Sequence, residues 1–353
     1  MTPPGFRCAT PAVSAVVPAF GPEPLLERCV AALLDSTGTT VEVVVVDNGC
    51  TSDAVRRVRG RAGVRVLEPG RNTGFTGGCH LGADSALGAT LMFVNSDAVV
   101  EPGAAAALEA ALADPGVGIA TGSLRLLQRP ATINSAGNPV HFLGLSWAGG
   151  LGDHASAHAS SGPVAAACGA LMALRRTTWR ELGGFYRPLF AYCEDLELSL
   201  RCWLSGRSVQ YVPEAVALHA YEFHRNPLKM HLLERNRLLV VLTVYAMPTL
   251  WLLSLPLLAL ELALLAVALR QGWARQKLGG WWWLLRHAGS VAARRRAVQQ
   301  ARRSSDGVLA TLLTGAFTPG EELGLRVPRP LQALSTGYWA VVRRAVGRLD
   351  TAS

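Results

Sequence analysis

Two adjacent carboxylates, Glu194 and Asp195, follow an aromatic-rich stretch (185–193, FYRPLFAYC) where the pattern predicts the start of a helix. Neighbouring acids repel, so one proton is held more tightly than the other. Such a pair can supply a general base. Acids in a first helical turn also favour the helix dipole, a role that needs no chemistry. A second acidic turn, Asn95-Ser96-Asp97, ends a hydrophobic strand. The hard carboxylate of Asp97 suits a divalent cation, Mg2+ or Mn2+, bridging two phosphates. Neutral Asn95 suits a hydrogen bond to a ribose. The competing role for this turn is chain reversal, or the N-cap of a helix expected from Pro102.

Asp47 follows four consecutive valines. It either accepts hydrogen bonds from a base or ribose edge or closes an Asx turn. Residues 72–82 (NTGFTGGCHLG) make a glycine-rich approach to a helix. Such a turn either brings backbone N–H groups towards a pyrophosphate or serves turn chemistry and tight helix packing. His219 stands alone as a structural or site histidine, with His224 and Arg225 near enough in sequence to form a phosphate-facing cluster.

The elements that must position these groups follow from periodicity. Short β-branched runs at 13–17, 41–46, 64–67 and 91–94 predict buried strands, and helical spacing predicts helices at 23–34, 53–61, 77–87 and 102–112. Strands alternating with helices imply βαβ units and a mainly parallel sheet, with ligands bound at the carboxyl ends of the strands. Residues 134–162, rich in Gly, Ser, Ala and His, read as a mobile loop. Residues 165–174 read as a strand, 178–182 and 196–204 as short helices, and 209–212 as a last short strand.

The chain has 353 residues, 50% hydrophobic and 17% charged, with net charge +9; its mean hydropathy is +0.25. Charge is below the ~25% usual for soluble domains, because residues 238–269 are apolar with Glu261 as their only formal charge. That stretch exceeds the ~20 residues that cross a bilayer, although Pro248 and Pro256 interrupt it. Arginines and Lys277 follow it, mixed with Trp273 and Trp281–Trp283, a composition suited to a cytoplasmic membrane interface. The basic residues gather there rather than over the α/β part, so nucleic acid is not an expected partner. Seven scattered cysteines without a CxxC pair suit reduced thiols in the cytosol. The first residues lack a long apolar core, so no signal peptide is expected.

Taken in order, VVVDNGCTSD, NTGFTGGCHLG, LMFVNSDA and GGFYRPLFAYCEDLELSLR closely resemble family 2 inverting glycosyltransferases of the GT-A fold, in particular rhamnosyltransferase-like members. The resemblance covers roughly residues 12–237. It implies a GT-A catalytic domain (1–237), followed by a membrane-associated apolar segment (238–269) and a basic, Trp/Arg-rich helical region (270–353). By resemblance, Pro18, Ala19, Phe20 and Asp47 cradle the base and ribose of a nucleotide-diphospho-sugar donor. Asn72, Gly74, Asn95 and Ser96 lie on the same donor side. Asp97 holds the cation, His219 completes the metal or diphosphate site, and Asp195 is the base with Glu194 beside it. Arg201 either anchors its helix or faces the diphosphate. The family often has Asn where His80 stands, and Asp-Glu where Tyr186-Arg187 stand. The expected acceptor is a lipid-linked glycan at the cytoplasmic membrane face, with membrane lipid as a further partner. A catalytically idle membrane scaffold is the rival reading, opposed by the intact Asp97 and Asp195.

Overall fold

The computed structural model describes residues 10–221, 226–318 and 327–351. Strands β1 (Val13–Gly21), β2 (Val41–Cys50), β3 (Val64–Leu67) and β4 (Thr90–Val94) alternate with helices α1 (Leu26–Leu34), α2 (Ala54–Val58) and α3 (Gly74–Ser85). Then come β5 (Ala98–Val100), α4 (Ala104–Ala111), β6 (Val117–Leu126), β7 (Arg129–Ser135), β8 (Gly162–Pro163), β9 (Leu171–Arg175), α5 (Arg176–Leu182), α6 (Glu194–Leu204) and β10 (Ser208–His219). All ten strands join one sheet, in the order β3-β2-β1-β4-β9-β6-β10-β5, with β7 on β6 and β8 on β10.

The β-branched runs on β1 and β2 are buried on both faces, as parallel strands covered by helices must be. Val13, Ala15, Val17, Val43 and Val45 pack under α1, α2 and α4. Val16 and Phe93 pack under α3, α5 and α6. The result is three layers, α/β/α. The sheet is mixed rather than mainly parallel, because β9 enters between β4 and β6 and runs antiparallel to both. Hydrophobic periodicity marks a strand but not its direction.

Helices α7 (Pro227–Val244), α8 (Met247–Gln271), α9 (Ala274–Arg286), α10 (Ala288–Ala301), α11 (Asp306–Leu312) and α12 (Arg329–Thr351) complete the chain. α7 passes position 237 without a break, so continuous helix joins the α/β part to the apolar stretch. Residues 134–162 are not the loose loop expected from composition. Val140, Phe142 and Leu143 enter a core with α6, α7, α11 and α12, and the Phe142 ring stacks on Trp339 with centroids 5.0 Å apart. Those partners lie far away in sequence, so local composition could not reveal them.

Candidate active site

The pairing of β1 with β4 stops at Val16 and Phe93, while β1 and β2 stay paired as far as Gly21 and Cys50, with a register shift after Ala19. β1 and β4 therefore part at their carboxyl ends, where the strand order changes direction, the usual ligand position in open α/β sheets. On β1, Pro18 is half-buried and Ala19 is buried in the core. Phe20 is 61% exposed and lies against the turn at Gly49. Asp47 Oδ1 accepts from the N–H groups of Gly49 and Cys50 at 3.0 and 2.8 Å, an Asx turn. Asn72 does likewise for Gly74 N at 2.8 Å.

Glu194 and Asp195 open α6. Asp195 Oδ2 accepts from Gly169 N at 2.9 Å and Oδ1 from Leu196 N at 2.7 Å. Next to Gly169, the Ala170 carbonyl accepts from Asn95 N at 3.1 Å. Asp195 is thus tied through Gly169 and Ala170 to the Asn95-Ser96-Asp97 turn, and both acids sit at one end of the sheet. Burial, and then the charge of Asp195, push Glu194 up to about 8. Its Oε2 is buried without a partner. Burial raises Asp195 as well, but its backbone hydrogen bonds favour the ionised form. The shared proton therefore belongs on Glu194, which leaves Asp195 as the carboxylate.

This assignment has a pH signature. The folded-state pKa of Glu194 lies above the ordinary 4.5. Its penalty on stability is absent below the unfolded value and grows as pH rises towards the folded one. Glu194→Gln removes that penalty. Its Tm advantage over wild type is expected to widen by a few degrees between about pH 5 and pH 8.5, with activity near pH 7 kept within about threefold. A Tm difference that stays flat across this range, measured by calorimetry, would place the proton elsewhere.

Asp97 Oδ1 lies 3.1 Å from His219 Nε2. Backbone pairing brings them together, since His219 sits opposite Ala98 across β10 and β5 and Ala220 N donates to the Asp97 carbonyl at 3.1 Å. On the far side of the ring, Asn134 Oδ1 is 2.8 Å from Nδ1. Asn95 Nδ2 lies 3.5 Å from Nε2, so the ring is held between Asn134, Asn95 and Asp97. Among the described residues no group of three or more His, Cys, Asp or Glu side chains could hold a metal. Two protein donors fit a hard cation that takes its other ligands from phosphates and water.

Several important groups escaped the sequence reading. Glu23, with φ 47°, accepts from Phe20 N at 2.7 Å; burial raises its pKa against a hydrogen bond from Ser96. Buried Asn48 clamps the glycine-rich turn, accepting from the Thr73 hydroxyl at 2.8 Å and donating to the Gly74 carbonyl at 2.9 Å. Gly74 is required by its φ of +74° and because a Cβ would come within 2.5 Å of the Phe190 carbonyl. The loop before α6 is strained, with Phe190, Tyr192 and Cys193 at positive φ. Asn236 of α7 donates to the carbonyls of Leu189, Ala191 and Tyr192 at 2.7–2.9 Å. Arg235 holds those of Pro188 and Leu189 at 2.8 and 2.9 Å. One helix beyond the α/β part therefore sets the approach to the carboxylate pair. The only sequence signal was the run of polar residues 234–237 before an apolar stretch.

Arg201 anchors its helix. It makes hydrogen bonds of 2.7–2.9 Å to Glu197 and one of 2.6 Å to the Gly184 carbonyl. His80 lies 2.7 Å from the Phe185 carbonyl and packs on Trp179. Tyr186 lies under the Arg294 guanidinium, 4.4 Å from its ring centroid. His224 and Arg225 are outside the described residues.

A layered sheet whose acids and amides collect at the carboxyl ends of β1, β2 and β4 is an α/β domain with its polar groups where such sheets bind ligands. Residues 11–238 match the sequence model described as glycosyltransferase-like family 2, and the chain belongs to that family. It is 28% identical over 246 residues to N-acetylglucosaminyl-diphospho-decaprenol L-rhamnosyltransferase of Mycobacterium tuberculosis, covering 62% of this chain and 80% of that one. An uncharacterised protein of the same species is 31% identical over 114 residues, or 32% of this chain; the match spans only 36% of that relative's length. The rhamnosyltransferase WbbL of Escherichia coli K12 is 40% identical over 58 residues, 16% of this chain and 22% of that one. GalNAc-T7, solved with UDP, GalNAc and Mn2+, superposes with TM-score 0.56 at 18% identity, covering 67% of this chain and 48% of that one. The fold is GT-A.

Proposed function

We propose that this chain transfers a sugar, with inversion, from a nucleotide-diphosphate donor to a lipid-linked glycan at the cytoplasmic face of the membrane. One observation carries the reading: Asp195 and Asp97 lie at the same sheet end, linked through Gly169, Ala170 and Asn95. Asp195 takes the proton of an acceptor hydroxyl as that oxygen bonds to the anomeric carbon. The bond from that carbon to the diphosphate breaks, and the nucleoside diphosphate leaves with the electron pair. No covalent intermediate is required. Glu194, neutral beside the base, keeps a second negative charge away from the acceptor. Pro18 to Phe20 and Asp47 flank the base and ribose; Asn72, Gly74, Asn95 and Ser96 border the sugar-diphosphate. Asp97 and His219 would hold Mg2+ or Mn2+, which when bound offsets charge on the departing diphosphate.

The rhamnosyltransferase relatives favour rhamnose as the sugar and a polyprenyl-diphosphate glycan as acceptor, and dTDP-rhamnose is the first donor to test. The apolar helix α8 and the arginines that follow it favour association with the membrane. The full chain is expected to gain several degrees in Tm from dTDP-rhamnose with Mn2+, to gain far less without the cation, and to transfer rhamnose to N-acetylglucosaminyl-diphospho-polyprenol. A panel of UDP-, GDP- and dTDP-sugars tests the donor. Absence of both stabilisation and transfer across the whole panel would leave an idle scaffold as the better account.

A further inference from the structure

We infer that the chain meets a lipid bilayer from one side, with α8 lying in the plane of the interface instead of crossing it. The inference rests on the membrane association proposed above and adds its geometry. Among the described residues α8 is the one helix long and apolar enough to cross. Its 25 residues would extend about 37 Å at the α-helical rise, so length alone permits a span.

Burial along α8 is one-sided. Thr249, Leu253, Glu261 and Ala268 are buried, while Trp251, Leu255, Leu258, Leu262 and Leu269 are 56–77% exposed. At 3.6 residues per turn the two stripes lie roughly 150° apart. The inner stripe is fastened along its whole length. Leu253 enters the core made with α7, α11 and α12, and Tyr338 of α12 donates to the Leu252 carbonyl. Near the middle, Glu261 pairs with Arg237 of α7. It also accepts from Lys277 Nζ at 2.8 Å and Trp281 Nε1 at 2.6 Å, both on α9. Lys277 is fully buried and also reaches Glu234 at 2.5 Å. Removing one partner from a buried ion cluster leaves an uncompensated charge. A crossing α8 would have to break this cluster or take it into hydrocarbon together with α7. The same α7 holds the loop before the carboxylate pair through Arg235 and Asn236.

Helices α9 and α12, which pack on α8, carry exposed apolar residues of their own. Leu278, Trp282 and Leu285 on α9, and Leu331, Leu334 and Val341 on α12, are 47–72% exposed, each set spaced to share a helix face. Arg270, Arg275, Arg286, Arg343 and Arg344 on the same helices or their ends are exposed too. Exposed apolar residues that include two tryptophans, interspersed in sequence with exposed cations, suit the acyl–headgroup boundary of an anionic leaflet.

The test uses the full chain with an epitope tag at each end. Purified protein is expected to float with phosphatidylcholine–phosphatidylglycerol vesicles. The combined substitution Trp251→Glu, Leu255→Glu and Leu258→Glu should lower that binding at least tenfold while leaving nucleotide-sugar binding unchanged. In inverted membrane vesicles from expressing cells, added protease should remove both tags; in intact spheroplasts it should remove neither. Protection of the C-terminal tag in inverted vesicles, with the N-terminal tag digested, overturns the in-plane geometry but leaves membrane association standing. Failure to float, with or without self-association of the soluble chain, overturns both.

Discussion

Asp195→Asn is expected to lower kcat for sugar transfer by about a thousandfold, within the range usual for loss of a general base, with donor affinity changed by no more than about threefold. The substitution keeps size and position. An Asn carbonyl can still accept from Gly169 N or Leu196 N, the two donors that orient Asp195, and only one of these bonds is lost. That costs on the order of 1 kcal/mol of stability, so the variant should fold. What disappears is the basic lone pair. Donor binding is the control, because the proposed nucleotide contacts lie on β1, β2 and the turn after β4 rather than on α6. Calorimetric titration of the donor and single-turnover transfer with acceptor separate the two quantities. Turnover within threefold of wild type would end the assignment of Asp195 as base. The pair also separates internally, since Glu194→Gln retains transfer near neutrality where Asp195→Asn does not.

Asp97→Ala is expected to remove the Mn2+-dependent part of donor binding and to lower transfer by about 10²–10³-fold, the scale of losing preorganised stabilisation of a departing group. His219→Ala should act in the same direction with a smaller effect, because Asp97 supplies the charge. The physical basis is the 3.1 Å approach of Asp97 Oδ1 to a histidine nitrogen whose opposite ring atom is held by Asn134. In wild type, donor and Mn2+ should stabilise the fold more together than the sum of their separate effects. In Asp97→Ala that surplus should vanish while any cation-independent shift from the nucleotide survives. A donor Tm shift of full size and unchanged Mn2+ dependence in this variant would remove the cation from Asp97.

Much of this site was legible before any coordinates. Asp97 and Asp195 stand out because acidic turns after hydrophobic runs are local features of the chain. Asp47 also stands out locally, and the structure gives it an Asx turn. Both possible roles of the glycine-rich turn were visible, and the geometry displays the packing one: a Cβ at Gly82 would lie 2.2 Å from Val16 Cγ1. Glu23 and Asn134 were invisible, and Asn236 showed only as part of the polar run 234–237. Each acts through a partner that no periodicity reports, and Asn134 sits in a stretch whose Gly, Ser and His content mimics a loop.

β5, β6 and β7 were not among the strands expected from the sequence, but by itself the sequence determined the alternating strands and helices of residues 13–112, where its acidic turns fall and how apolar α8 is. These depend on spacings of two to four residues, which side-chain geometry imposes locally. The tertiary structure alone decided the antiparallel place of β9 in the sheet, the meeting of His219 with Asn134, 85 positions away, and the buried charges that fasten a span-length helix along one side. Those outcomes follow from strand order and helix docking. They decide which distant groups meet, and so which polar atoms must find partners once water is excluded.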